Sequence, residues 1–218
     1  MALFNRKKEQ AEDDGGDAVE FTPQPEKARK WFEHAKSMAD SSNFNSALVY
    51  YANGIRLDPG VLSAHEAMIE VALKHHAAGG KKASSKDVKG VDGSHAVEKF
   101  AAAELVWLSS YANPSLALKA LAAAIDAEQY EFAHMISARV LVLVSRTKKV
   151  SRTQVLKVKE LATAASNWDI AMSAGQLALQ MDPSDGTLDT ELKDLSAQRA
   201  IAAATDDACF VVCVLSAD

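Results

Sequence analysis

The chain has 218 residues, with 24 Lys and Arg against 29 Asp and Glu, a formal net charge of −5, and 48% hydrophobic residues. That is enough apolar material to bury one or two substantial cores. With 6% aromatics, 10 Gly, 5 Pro and Ala throughout, the composition suits packed helices and excludes a many-turned sandwich or barrel. The negative balance excludes a surface that grips nucleic acid all over, since phosphate binding needs a surplus of Lys and Arg.

In chain order, residues 1–24 carry Lys7, Lys8, Glu9, Glu12, Asp13, Asp14 and Pro23 without a helical apolar stripe, which predicts a disordered N-terminal tail. No apolar run of signal-peptide length follows Asn5-Arg6-Lys7-Lys8, so secretion is not expected. Pro25 opens a helix in which Ala28, Trp31, Phe32, Ala35, Met38 and Ala39 recur at spacings of three and four to about Ser41. Asn43 caps a second, through Phe44, Ala47, Leu48, Tyr51, Ile55 and Leu57, stopped by Asp58-Pro59. A third runs from Val61 to about Ala78 and ends at Gly79-Gly80. Residues 79–94 hold four Gly, four Lys and three Ser and no stripe, and are expected to form a flexible insertion. Further helices are predicted from Ser94 to about Tyr111, from Pro114 behind Asn113 to about Ala127, and from Tyr130 to Ser145. A Ser151/Gln154 capping box opens one ending near Ala165, Asn167 opens one ending at Asp182-Pro183, and Leu188–Ala204 is the last, about nine in all. Residues 206–218 form an apolar tail in which Cys209 to Leu215 carries no charge, expected to fold back or to self-associate.

Within residues 28 to 61, Trp31, Ala35, Phe44, Ala47, Tyr51, Gly54 and Pro59 combine large and small residues at set spacings. This pattern resembles the tetratricopeptide repeat, two antiparallel helices over about 34 positions. The family's usual Leu is replaced by His34 and its usual aromatic by Met38, while Ala35 and Gly54 exchange small residues. Ala35, Ala47 and Gly54 would let the helix axes approach while Trp31, Phe44 and Tyr51 fill the space around them. Trp168, Ala171, Ala178 and Pro183 repeat the mutual spacing of Phe44, Ala47, Gly54 and Pro59. The helices between have lengths and parity for two degenerate copies, pairing 61–78 with 94–111 and 114–127 with 130–145. The expected fold is an all-α, right-handed helical-hairpin solenoid over residues 25–205, with the last helix covering its open end.

No Gly-rich phosphate loop, zinc helix or nucleophile elbow occurs, so neither catalysis nor a cofactor is expected. His65-Glu66 begins like a zinc helix, but Ile69 occupies the second ligand place, and His75 and His76 fall on different helix faces. These histidines read as ordinary surface residues. Cys209 and Cys213, the only cysteines, give neither a disulfide framework nor a four-ligand metal pattern, and a reducing cytoplasm is the expected compartment. The apolar runs, Val140 to Val144 and Cys209 to Leu215 among them, fall far below the roughly 20 residues that span a bilayer, and no membrane partner is expected.

The resemblance implies a non-catalytic scaffold whose first helices line a groove for a partner peptide or helix. In that register the groove positions are Arg29, Phe32, Glu33, Lys36 and Asp40, then Glu66, Glu70 and Lys74, then Lys157 and Glu160. The family's carboxylate clamp for chaperone C-termini is not reproduced, because Lys36 stands at the place of an Asn and Phe32 at that of a Lys. The alternative reading is a site for a polyanion or nucleic acid. It rests on Arg146, Lys148, Lys149 and Arg152, followed by Lys157 and Lys159 without an acid among residues 146 to 159, and on Lys81, Lys82, Lys86 and Lys89. Neither segment interleaves aromatics for base stacking.

Overall fold

The computed structural model describes residues 21–215, with side chains through residue 204. The predicted tail therefore lies outside the described residues up to 20. Its last part is fixed: the Phe21 ring packs on His95 at 5.2 Å between centroids, and Gln24 N–H donates to the Leu57 carbonyl at 2.8 Å.

Among the described residues there are ten helices and no strand: α1 (Pro25–Asp40), α2 (Phe44–Ile55), α3 (Leu62–Ala77), α4 (Ser85–Val91), α5 (Ala96–Leu108), α6 (Pro114–Asp126), α7 (Tyr130–Ser145), α8 (Arg152–Ala164), α9 (Trp168–Met181) and α10 (Gly186–Leu215). Apart from α3 and its follower, each long helix packs chiefly on its neighbours in sequence, so the molecule is an all-α solenoid of stacked hairpins. Nine of the ten agree with the periodicity of the sequence.

One turn recurs and sets the parity of the array. After α1 the chain passes through Ser42 at φ 59°, Ser42 N–H donating to the Ala39 carbonyl and Asn43 N–H to that of Met38. The same pair of bonds and the same left-handed residue follow α6 at Glu128, α8 at Ser166 and α3 at Gly79. This closure satisfies two carbonyls that the last helical turn leaves free and reverses the chain within three residues. α1, α3, α6 and α8 are thus first helices. Their partners are α2, α5, α7 and α9, and α10 stands where a fifth first helix would.

Two expectations are corrected here. The stretch 79–94, read as a flexible insertion without a stripe, contains α4. Ser84 caps it, accepting from Asp87 N–H at 3.1 Å while the Asp87 carboxylate accepts from Ser84 N–H at 3.3 Å. Val91 is fully buried, and Arg56 Nη1 donates to the Gly90 carbonyl at 2.8 Å, so α4 is held against α2 and α5. A seven-residue helix is too short to show a period, which is why the sequence hides it. Second, the last helix does not stop near Ala204 but continues to Leu215, so much of the predicted apolar tail is helical.

The core is one continuous cluster rich in alanine: Ala35, Ala47, Ala52, Ala72, Ala117, Ala120, Ala124, Ala162, Ala171 and Ala178 are all fully buried. Small side chains bring helix axes close, and dispersion over many short contacts replaces the bulk of larger residues. Of the repeat-defining residues, Ala35, Ala47, Tyr51, Gly54, Pro59, Ala171 and Ala178 are buried. Trp31, Phe44 and Trp168 are only half-buried and Pro183 is exposed, so of the three aromatics expected to fill the first hairpin only Tyr51 is buried. Trp31 instead lies over Tyr50, 5.5 Å between ring centroids.

Candidate partner-binding clefts

Two clefts open between successive first helices. The first, about 260 Å³, lies between α1 and α3 and is lined by Arg29, Phe32, Glu33 and Lys36 from α1, Tyr51 from α2, and Val61, Ser63, Ala64 and Ala67 at the start of α3. Phe32 is placed by Gly54: a Cβ there would lie 2.3 Å from the ring, so only glycine lets the ring settle on α2 and reach Tyr51, 6.3 Å away between centroids. Tyr51 forms the floor. Burial raises the pKa of its phenol, and the negative charges of Asp40 and Glu70 raise it further. Four of the five groove residues expected on α1 thus line the cleft, whereas Asp40, and Glu70 on α3, fall outside its lining. Arg29 is engaged by Glu26 at 3.1 Å and Glu33 at 3.8 Å, exposed pairs that contribute little stability. Glu66 and Lys74 are exposed on α3 outside this lining, and the spacing of four along Glu66, Glu70 and Lys74 produces no ion pair among the described residues.

The second cleft, about 590 Å³, lies between α6, α8 and the start of α10, over Leu118, Leu156 and Leu188. It contains the other two expected groove residues, Lys157 and Glu160, which pair with each other at 2.6 Å. Lys159 pairs with Glu191 across the cleft, so its charges are largely neutralised within the chain.

Pairing within the chain also engages half of the basic segment. Arg152 Nη2 donates to Asp185 at 2.5 Å and its Nε to the Ala178 carbonyl at 3.2 Å, which corrects its place in a polyanion patch: it ties the start of α8 to the α9–α10 turn. The Asp185 carboxyl is held below the usual carboxylate range, first by the Leu188 N–H that donates to it at 3.0 Å and then by Arg152. Arg146, Lys148 and Lys149 remain exposed in the α7–α8 turn. The predicted Ser151 cap forms in part: its hydroxyl accepts from Gln154 N–H at 3.4 Å, while the Gln154 side chain donates to Ser115 instead of closing a box.

Sequence reasoning misplaced two histidines. His65 is fully buried, with Nδ1 at 2.9 and 3.0 Å from both oxygens of Glu104, itself fully buried, and Nε2 at 2.9 Å from the Pro59 carbonyl. With Nδ1 facing a carboxylate and Nε2 a carbonyl, the arrangement favours the doubly protonated ring, in which both nitrogens donate. Burial alone would lower the His65 pKa, but the Glu104 charge and hydrogen bond outweigh it and the net direction is upward. Phe100 and Phe132 enclose the imidazole at 5.7 and 4.5 Å between centroids. His75 is also buried and bonds through Nε2 to the Lys81 carbonyl at 2.8 Å, whereas His76 is exposed, as different faces require. A usable signal existed for His65 and Glu104, since each stands in register with an apolar stripe (Met68 and Ala72; Phe100, Ala101 and Leu108).

No family model matches the chain, and no curated protein does so either. Among the described residues no helix is long and apolar enough to cross a membrane, and no cluster of three or more His, Cys, Asp or Glu is arranged to hold a metal ion.

Proposed function

We propose that the chain is a non-catalytic interaction scaffold of the tetratricopeptide type, holding a segment of a partner protein against its first helices. The observation that carries this reading is the coincidence of the clefts with the groove register: Arg29, Phe32, Glu33 and Lys36 line the first, and Lys157 and Glu160 the second. Support for the repeat type comes from the buried small residues Ala35, Ala47 and Gly54 in the first hairpin and from the turn repeated after α1, α3, α6 and α8. A helical array offers a long, pre-formed surface at little ordering cost to itself, which suits it to hold an extended segment.

The test is photo-crosslinking from cleft positions in the native cell. A photoreactive residue at Ser63 should capture a defined protein, and the capture should disappear when Ala67→Trp fills the first cleft. Capture that is indifferent to filling either cleft refutes the reading. Polyanion binding is the weaker alternative, because Arg152, Lys157 and Lys159 are committed to carboxylates of the same chain. Salt-sensitive retention on heparin, lost on replacing Arg146, Lys148 and Lys149, would favour it instead.

A further inference from the structure

We propose that the groove between α8 and α10 selects an extended partner segment with apolar side chains followed by one Lys or Arg, the apolar side chains over Leu118 and Leu156 and the cation beside Asp194. The inference rests on the scaffold reading and names the partner chemistry that its second cleft fits.

This cleft is longer than its main cavity. A second cavity of about 290 Å³ continues it along α8 and α10, with Lys159, Glu160 and Glu191 in the lining of both. The joint groove runs from Thr153 to Thr163 on α8 and from Thr187 to Gln198 on α10. Ten residues of helix rise about 15 Å, which an extended chain covers in about four to five residues. Leu192 of α10 sits against Gly175 of α9, where any Cβ would collide with it. That close approach carries Leu188 and Leu195, a turn to either side, into the groove.

The two ends differ in chemistry. At the wide end Leu118 and Leu156 are only half-buried, so apolar surface meets the opening and gains from an apolar side chain, while Asp185 is engaged by Arg152 and the Leu188 N–H. At the narrow end Glu160, Glu191 and Asp194 stand in the lining against Lys159 alone. Lys157 engages Glu160 at 2.6 Å and Lys159 engages Glu191, whereas the Asp194 carboxylate enters no ion pair or hydrogen bond among the described residues. One uncompensated carboxylate calls for one cation. Leu195 lines the approach to it, a match for the methylene stem of a basic side chain. Thr163 adds an acceptor, since its hydroxyl donates to the Lys159 carbonyl at 2.8 Å and keeps its lone pairs for an incoming N–H. The first cleft has the opposite balance, with Arg29 and Lys36 against Glu33 in its lining, so this preference belongs to the second.

The test uses the full chain and fluorescein-labelled heptapeptides: Gly-Leu-Ser-Leu-Ser-Arg-Gly, its versions with norleucine or Glu in place of Arg, and a version with Ser in place of both Leu. Alternate positions of an extended chain share a face, so both leucines and the arginine can enter together. Binding is followed by anisotropy at low salt and by the methyl NMR signals of Leu118, Leu156, Leu188 and Leu195. The Arg peptide should bind about threefold tighter than the norleucine peptide, the scale of one exposed ion pair, and by a wider margin over the Glu peptide. Asp194→Asn should erase the preference for Arg over norleucine without changing the affinity of the norleucine peptide. Thr187→Trp should block every peptide by filling the wide end. Both substitutions stand at exposed positions and leave the core untouched. Equal binding of the Arg and norleucine peptides, a preference that survives Asp194→Asn, or undiminished binding of the version without Leu each overturns the proposal. Failure of every peptide to move those four leucine signals overturns it as well, while the crosslinking from Ser63 judges the scaffold reading separately.

Discussion

The buried pair of His65 and Glu104 gives the sharpest quantitative test of the fold. It joins α3, α5 and the α2–α3 turn through three hydrogen-bond contacts, with both side chains at zero exposure. Glu104→Leu removes the carboxylate and leaves an imidazole whose Nδ1 faces hydrocarbon. His65→Leu leaves a carboxylate and the Pro59 carbonyl without donors. Breaking one partner of such a pair costs about 3–5 kcal/mol, whereas replacing both with apolar residues of similar volume is often close to neutral. Urea unfolding at pH 6 should therefore show each single variant destabilised by about 3–5 kcal/mol and the double variant by much less than the sum. The pH dependence has a defined sign. Since the folded-state pKa of His65 lies above its ordinary value, its contribution is complete below about pH 6.5 and is lost as pH rises through the folded value. Wild-type stability should fall through that window, and His65→Leu should lack this component. Additive single effects, each below about 1 kcal/mol, would refute the reasoning, because a pair open to solvent is worth no more than that.

Three other outcomes follow from the turns and junctions. Glu128→Gly and Ser166→Gly relieve a left-handed backbone and should each raise stability by up to about 1 kcal/mol in urea titrations, while a loss would mean the turn differs from the one described. Val91→Asp should undock α4 and speed amide exchange across Ser85–Val91 with little change in α8 and α9; unchanged protection would show that the buried Val91 does not hold the helix. The lowered pKa of Asp185 means that its tie to Arg152 and Leu188 is present above the ordinary carboxylate range and is lost as pH falls through the folded value. Acidification below about pH 4 should accordingly loosen the α9–α10 junction, measured by exchange at Leu188, and Asp185→Asn should abolish that pH dependence.

Most helices were legible because each carries its own instructions. The stripe of Ala28, Ala35 and Ala39, the Asn43 and Asn113 caps and the breaks at Asp58-Pro59 and Asp182-Pro183 act within a few residues of where they stand. The first-hairpin groove was legible too, since residues three and four apart on one helix share a face wherever the helix lies. What neighbouring helices contribute was not. Tyr51 reads as a packing residue within its own helix and becomes the floor of a cleft only when the start of α3, with Val61, Ala64 and Ala67, comes to line the same opening. Arg152, Lys157 and Lys159 look like a free basic run until α8 meets Asp185 and Glu191, more than thirty positions away for the first and last. His65 reads as a surface histidine, and the Glu104 that meets it in the interior stands thirty-nine residues away on another helix, so that packing alone sets one against the other. Local backbone preference and side-chain period depend on near neighbours in the chain and are written in the sequence. Burial and charge compensation depend on which distant segments touch, and only the folded stack decides that.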